Sequence, residues 1–157
     1  MINLDFLKEV EVFRDLDDSQ LTAVKGCCQE EEYREGEKIF GINEDPLYLY
    51  AVIKGEVELI LDIADNSSDR ITAIGEKMIF GWSSLVSPYE YRLSAYAISK
   101  TCSVLKIDTK KLKELMDDDH RLGFLIMSKI VSVVGSRFYG LREEVIKIKG
   151  HDLINQW

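Results

Sequence analysis

Apolar and polar residues follow three different patterns in succession along the chain. In "LDDSQLTAVKGCCQ" an acidic or hydroxyl residue precedes Leu21 and Val24, which share one helical face. The middle of the chain breaks into short runs rich in Tyr, Ile, Val and Leu that glycines separate, and a helical period then returns. These patterns predict N-terminal helices over residues 1–31, strands over 32–108 and C-terminal helices over 109–148.

The middle region has the alternation of half-buried strands. In "VELIL", Val57, Leu59 and Leu61 fall on one face, and the residues between them fall on the other. Seven or eight such strands with no intervening helices favour a closed roll or sandwich. We therefore predict a single α+β domain over 1–157: an antiparallel β-roll of the jelly-roll or double-stranded β-helix type, with N-terminal helices and a long C-terminal helix.

The last helical segment is long enough to extend beyond the rest of a domain of this size. From about residue 120 to 147, apolar residues recur every three or four positions. One stripe runs through Leu122, Ile126, Ile130, Val133, Arg137 and Leu141. Two uses are open, covering the roll or pairing with a second copy, and apolar residues on more than one side of the helix favour both. We expect a homodimer through this stripe.

Charge and apolar content exclude several classes of partner. The net charge of −8 and the pI near 4.8 oppose binding to a phosphate backbone, so nucleic acid is not expected. The uninterrupted apolar runs are far shorter than the roughly 20 residues of a membrane span, and the N-terminus lacks a signal-peptide pattern. We expect a cytoplasmic protein without a membrane partner.

The cysteines and histidines indicate no metal site or cofactor. Cys27, Cys28 and Cys102 are predicted to be small buried side chains, although one redox-active thiol stays open. A metal-dependent enzyme on a roll needs two or three inward-facing histidines, but His120 and His151 both lie beyond the predicted strands. An enzyme is therefore not expected.

The stretch "FGWSSL" is the clearest candidate for binding chemistry. A strand that ends at Gly81 and continues into one helical turn over Trp82, Ser83 and Ser84 would present free backbone N–H groups. Such groups form an anion site.

The order of several motifs resembles the cyclic-nucleotide-binding domain family, which includes the catabolite activator protein, kinase A regulatory subunits and gated channels. The resemblance rests on "VFRDLDDSQL", "YREGEKIFGINEDPLYLYAVIKGEVEL", "FGWSSL", "VLKID" and the long final helix. It implies a β-roll that holds a cyclic phosphate at the "FG" turn and a long helix that pairs in a dimer. Because only nine residues follow Ile148, it also implies no helix-turn-helix after this helix.

The family's phosphate cassette reads roughly F-G-E-x-x-L…R-[ST]-A, and this sequence departs from it twice. Trp82 stands at the glutamate that accepts from the ribose hydroxyl, and Leu93 stands at the arginine that pairs with the phosphate. Arg92 lies one residue before the position of the family's phosphate-binding arginine. On a strand, an offset of one residue turns a side chain to the opposite face. The cassette comprises Gly81, Trp82, Ser83, Ser84, Arg92, Leu93, Ser94 and Ala95.

Three functions are compatible with these observations. The first is a non-catalytic regulatory module that senses a small molecule or a protein partner and does not bind cAMP or cGMP in the usual way. The second is a true cyclic-nucleotide receptor that uses Arg92 and the backbone of residues 81–84. The third is an interaction subunit without a ligand.

Overall fold

Two four-stranded antiparallel sheets form the roll, and the helices cover one of them. The computed structural model describes residues 2–63 and 67–149, to which every structural statement here refers. The helices are α1 (Leu4–Glu9), α2 (Asp18–Lys25), α3 (Thr109–Asp118) and α4 (His120–Lys149). The strands are β1 (Cys28–Arg34), β2 (Lys38–Phe40), β3 (Tyr48–Lys54), β4 (Val57–Ile63), β5 (Ser67–Ile74), β6 (Ile79–Phe80), β7 (Ser94–Ala97) and β8 (Thr101–Asp108).

Strand order confirms the predicted antiparallel roll. One sheet has the order β1-β8-β3-β6 and the other β2-β7-β4-β5. Strands β3 and β8 bury both of their faces, because Val52 and Val104 point into the roll while Ala51 and Leu105 face the helices. The domain therefore has two apolar cores, one inside the roll and one between the roll and the helices.

The first helices begin where polar side chains can cap them. Asn3 accepts a hydrogen bond from the Phe6 backbone N–H at 2.7 Å. Asp17 accepts from the Gln20 N–H at 2.8 Å, and the Gln20 side chain accepts from the Asp17 N–H in return. The helical start predicted from "LDDSQL" is confirmed.

The boundary at residue 31 was placed too late. Strand β1 begins at Cys28, which pairs with Ile107, and Glu31 pairs with Val104. Because β1 is an edge strand, its glutamates can face solvent, so the run of three glutamates from residue 30 shows no apolar alternation. Pairing with β8, rather than local pattern, makes this segment a strand.

Most of the stripe predicted to form a dimer interface packs against the chain's own domain instead. Leu122, Ile126 and Ile130 are at most 1% exposed and belong to the helix-facing core, which Val133 also contacts. Arg137 bonds to the domain's own N-terminal segment, and only Leu141 is an exposed member. The assignment of the buried residues to a dimer interface is therefore wrong.

A second apolar face of α4 points away from the roll. Its most exposed residues are Phe124, at 71%, and Val131, at 69%. By length and composition alone, α4 could also cross a bilayer, which the short uninterrupted runs in the sequence did not indicate. This is weak evidence for a span, because the inner face of α4 is packed on the roll and Lys129 pairs with Asp15 at 3.0 Å.

Candidate ligand site in the β-roll

A sharp turn joins β6 to the segment that the sequence singled out. Gly81 has φ +71°, and residues Trp82–Ser84 form one turn of 3₁₀ helix. The Ser84 N–H donates to the Gly81 carbonyl at 3.1 Å, and the Leu85 N–H donates to the Trp82 carbonyl at 2.9 Å. A strand that ends at Gly81 and enters a helical turn is thus present as predicted.

Aromatic rings of the protein itself approach Gly81. A Cβ atom at this position would lie 3.2 Å from Cε1 of Phe40 and 3.2 Å from Cδ2 of Tyr50. In the family, a glycine at this position lets the ligand approach the backbone. In this chain, the absence of a side chain at Gly81 instead lets the edges of the Phe40 and Tyr50 rings approach the backbone. The small residue is therefore required by packing inside the roll.

The rings around Gly81 form a stack that fills the roll. The centroids of Phe40 and Tyr91 are 3.9 Å apart, and those of Tyr50 and Phe80 are 5.1 Å apart. The Tyr91 hydroxyl donates to the Tyr48 carbonyl at 2.7 Å, which satisfies its polar end. Burial raises the pKa of Tyr91 to about 12, and burial also raises the pKa of Tyr50.

The space left at the cassette is small. A cavity of about 80 Å³ is lined by Phe40, Leu59, Gly81, Trp82, Ser83, Tyr91, Arg92 and Leu93. The fold thus gathers five of the eight predicted cassette residues around one cavity. Pockets for small molecules usually measure about 300–1,000 Å³. The cavity at the cassette is therefore well below the usual volume of a small-molecule pocket.

Arg92 and Leu93 occupy opposite environments just before β7. The Arg92 side chain is 72% exposed and its Nη2 lies 3.2 Å from Oε2 of Glu90. Leu93 is half-buried and packs against the apolar core of the roll. An apolar side chain, rather than a cation, therefore faces the interior at the position of the family's phosphate ligand.

The remaining cassette residues have structural roles, and one lies elsewhere. Ser94 and Ala95 are buried in β7, opposite Ile60 and Leu59 of β4. Trp82 is half-buried against the helix-facing core as well as the cavity. Ser84 does not line the 80 Å³ cavity and faces a separate groove outside the roll. Its place in a common ligand site with Arg92 therefore stays a prediction, which this separation does not support.

Phe40 and Tyr50 were missed by the sequence reasoning, although they determine the shape of the interior. Phe40 lies on β2 and Tyr50 on β3, and both are at most 3% exposed. Their aromatic character signalled burial but not that their rings would meet beneath Gly81.

The thiols and histidines lie outside this site. Cys27 and Cys102 are buried and Cys28 is half-buried, as expected. His120 is the first residue of α4, and His151 lies outside the described residues. Within residues 2–63 and 67–149, no three His, Cys, Asp or Glu side chains are grouped so that they could hold a metal ion.

Comparison with known proteins identifies the family. The model of the cyclic nucleotide-binding domain matches residues 30–119, and a search of curated sequences gives no match. A Geobacter metallireducens protein provisionally named a cyclic nucleotide-binding protein is 29% identical, with a TM-score of 0.78 over 88% of this chain and 99% of its own.

Two further structures share the fold. A cyclic nucleotide-binding domain from Methylobacillus flagellatus is 18% identical, with a TM-score of 0.80 over 96% of this chain and 84% of its own. The Thermus thermophilus catabolite activator protein is 21% identical, with a TM-score of 0.72 over 88% of this chain and 62% of its own. The chain belongs to the cyclic nucleotide-binding domain family.

Proposed function

We propose that this chain is a non-catalytic regulatory module that does not hold cAMP or cGMP in the family's manner. The observation that carries the proposal is the filled interior of the roll, where Tyr91 stacks on Phe40 and Leu93 stands in place of a cation. The role in regulation is supported by family membership.

The energetic argument concerns both charge and volume. A cyclic nucleotide carries a negative phosphate, and burying a charge without a partner is strongly unfavourable. Leu93 offers no charge, and Trp82 cannot accept a hydrogen bond from a ribose hydroxyl. Entry would also require the Tyr91 ring to leave its stack on Phe40, with loss of its bond to the Tyr48 carbonyl.

One observation favours the alternative of true cyclic-nucleotide binding. Arg92 lines the small cavity from its outer side, and its pair with Glu90 is exposed. Exposed pairs contribute only about 0–1 kcal/mol, so this pair would yield readily to a phosphate. The alternative therefore depends on whether Tyr91 can move out of the roll.

Calorimetric titration separates the two functions. The wild-type protein is titrated with cAMP and with cGMP up to about 1 mM. A Kd of 1 mM corresponds to a binding free energy of only about −4 kcal/mol. We expect no saturable heat of binding for either nucleotide. A micromolar Kd would overturn the proposal. If that binding were lost in Arg92→Ala but kept in Lys54→Ala, a distant and exposed control, Arg92 would be the phosphate ligand.

The output surface of the module is the outer face of α4, which forms a homodimer. Two series of apolar residues lie there. Within each series the residues are seven positions apart, and the second series is offset from the first by three residues. We term the two series together the α4 seam. One series is Phe124, Val131, Phe138 and Val145, and the other is Met127, Val134, Leu141 and Ile148, of which Met127 and Val134 also pack at the edge of the helix-facing core. Four heptads of this kind are the pattern of two helices that pack side by side. All members of the first series are exposed in the single chain.

Sedimentation velocity tests the dimer. The wild-type chain is expected to be dimeric at micromolar concentration, and Val131→Glu is expected to be monomeric because a charge enters the α4 seam. Ser132→Glu places the same charge one residue away on an exposed position and should remain dimeric. A monomeric wild type, or a dimeric V131E, would contradict this part of the proposal.

A further inference from the structure

A second cavity lies outside the roll, between α4 and the segment that follows α1. Its volume is about 390 Å³, within the usual range for small-molecule sites. We term it the α4 cleft. Its polar lining consists of Glu11, Arg14, Lys129, Ser132, Ser136 and Arg137. The residues from α4 follow Lys129 at three, four, seven and eight positions, so they form one continuous side of the cleft.

The α4 cleft is positively charged on a strongly acidic chain. Arg14, Lys129 and Arg137 face one carboxylate, Glu11, although the whole chain has a net charge of −8. Lys129 pairs with Asp15 just outside the lining, at 3.0 Å. Arg14 is exposed and has no ion-pair partner among residues 2–63 and 67–149. Even with Asp15 counted, the cleft keeps an excess of positive charge.

Arg137 forms the deepest charged part of the cleft. Its side chain is only 18% exposed, and its Nη2 donates to the Glu11 carboxylate at 3.4 Å and to the Ile79 carbonyl. Its Nη1 is buried and has no hydrogen-bond partner within the described part of the chain. An unsatisfied buried donor costs about 1–3 kcal/mol, and more when it is charged. Because Nη1 has no exposed surface, an acceptor in the cleft would reach it only if the Arg137 side chain turned toward the cleft.

We propose that the α4 cleft binds a compact oxyanion of the phosphate class. The exposed Arg14 guanidinium presents planar paired donors that match phosphate oxygens, and the Lys129 and Arg137 charges add attraction. The hydroxyls of Ser132 and Ser136 supply neutral donors on the same face of α4. Free phosphate and the phosphate group of a larger metabolite share this chemistry.

Binding there would act on the roll through Ile79. The Glu11 carboxylate that accepts from Arg137 also accepts from the Ile79 N–H at 2.7 Å, and Ile79 is two residues before Gly81. An anion in the α4 cleft would therefore engage both α4 and the strand that leads into the cassette. This gives the module an input that does not depend on the interior of the roll.

Calorimetric titration with inorganic phosphate, in chloride of matched ionic strength, tests the inference. The wild-type chain is expected to bind with saturation below about 10 mM, and Arg14→Gln combined with Lys129→Gln is expected to weaken binding by about tenfold or more. Lys25→Gln combined with Lys54→Gln removes two charges elsewhere and should leave the affinity within about twofold of wild type. Neither pair includes Arg137, so the bonds of Arg137 stay intact.

A second titration distinguishes the sources of the phosphate group. Glycerol phosphate that binds with equal or higher affinity, and with the same dependence on Arg14 and Lys129, would indicate a phosphorylated metabolite. Binding of inorganic phosphate alone would indicate the free ion. The inference is overturned if neither compound saturates, or if both double variants weaken binding equally. None of these outcomes depends on whether the roll binds a cyclic nucleotide.

Discussion

Tyr91 lies face to face with Phe40, with ring planes 14° apart, and both rings line the small cavity next to Gly81, the turn where the family holds a cyclic phosphate. The ring contact joins the segment before β7 to strand β2. The Tyr91 hydroxyl also donates a hydrogen bond to the Tyr48 carbonyl, which links the same segment to β3. A feature that would be a binding pocket in a receptor is here part of the apolar core. Under the proposed function, the residues that stabilise this core are the same ones that exclude a ligand.

Removal of the Tyr91 ring should destabilise the fold strongly. Tyr91→Ala leaves a cavity against Phe40 and is expected to lower the free energy of unfolding by about 3–5 kcal/mol. Tyr91→Phe keeps the stack and loses only the hydrogen bond to Tyr48, which should cost about 0.5–1.5 kcal/mol. Urea unfolding followed by circular dichroism measures both. Equal losses in the two variants would show that the stack contributes little.

Two glycines with similar backbone angles allow strain to be separated from contact. Gly81→Ala forces a Cβ against Phe40 and Tyr50 at φ +71°, whereas Gly36→Ala has φ +86° and open space around it. The left-handed conformation alone should cost about 1–2 kcal/mol in each variant. The free energy of unfolding should therefore fall further in G81A than in G36A. Equal losses would mean that the rings beneath Gly81 can move aside.

Asp119, between α3 and α4, should contribute to acid sensitivity. The backbone N–H of Leu122 donates to its carboxylate at 3.0 Å and the Gln20 side chain donates at 3.2 Å, and these bonds lower its pKa. A carboxylate with a depressed folded-state pKa stabilises the fold above the unfolded pKa, and this stabilisation is lost as the pH falls through the folded pKa.

We therefore expect Asp119→Asn to lower stability at neutral pH and to lose less stability than wild type on acidification. Urea midpoints measured at pH 7 and below the Asp119 pKa test this expectation. A parallel loss of stability in both proteins would contradict it.

The three thiols should be unreactive in the folded chain. Burial raises the pKa of Cys28 to about 12, and it also raises the pKa values of Cys27 and Cys102. The thiolate is the reactive form, so little of it is present near neutral pH. A thiol reagent at pH 8 should label the native protein slowly and all three residues after unfolding. Rapid labelling of one native thiol would instead identify a redox-active cysteine.

The sequence was sufficient for the fold, because motif order and spacing are local properties of the chain, whereas the loss of the usual ligand contacts in the cassette stays a prediction. Motif spacing placed the roll and its turn at Gly81, and the one-residue offset separated Arg92 from Leu93. The filling of the roll was not predictable, since Phe40, Tyr50 and Tyr91 come from three distant segments. Their contact depends on strand pairing across the roll rather than on local pattern.

The expected packing of α4 on the roll is confirmed, the homodimer stays a prediction, and only the side of α4 assigned to the dimer could not be read from the sequence. The helix carries one apolar face through Ile126 and another through Phe124. The helical period of the sequence predicts both faces but does not indicate which of them packs on the roll. Which face meets the roll depends on how α3 ends at Asp119, whose side chain caps the first turn of α4. The buried stripe and the α4 seam could therefore be assigned only from the structure.

Backbone NMR of the wild-type chain with cAMP is the most direct test of the central claim. Amide shifts of residues 81–84 and 93–95 report on the cassette, and the experiment detects weak binding that calorimetry can miss. With cAMP raised to about 1 mM, equivalent to about −4 kcal/mol, we predict no saturable shifts concentrated in these two segments. Saturable shifts there, accompanied by a changed environment of the Tyr91 ring, would contradict the claim that the roll excludes cyclic nucleotides.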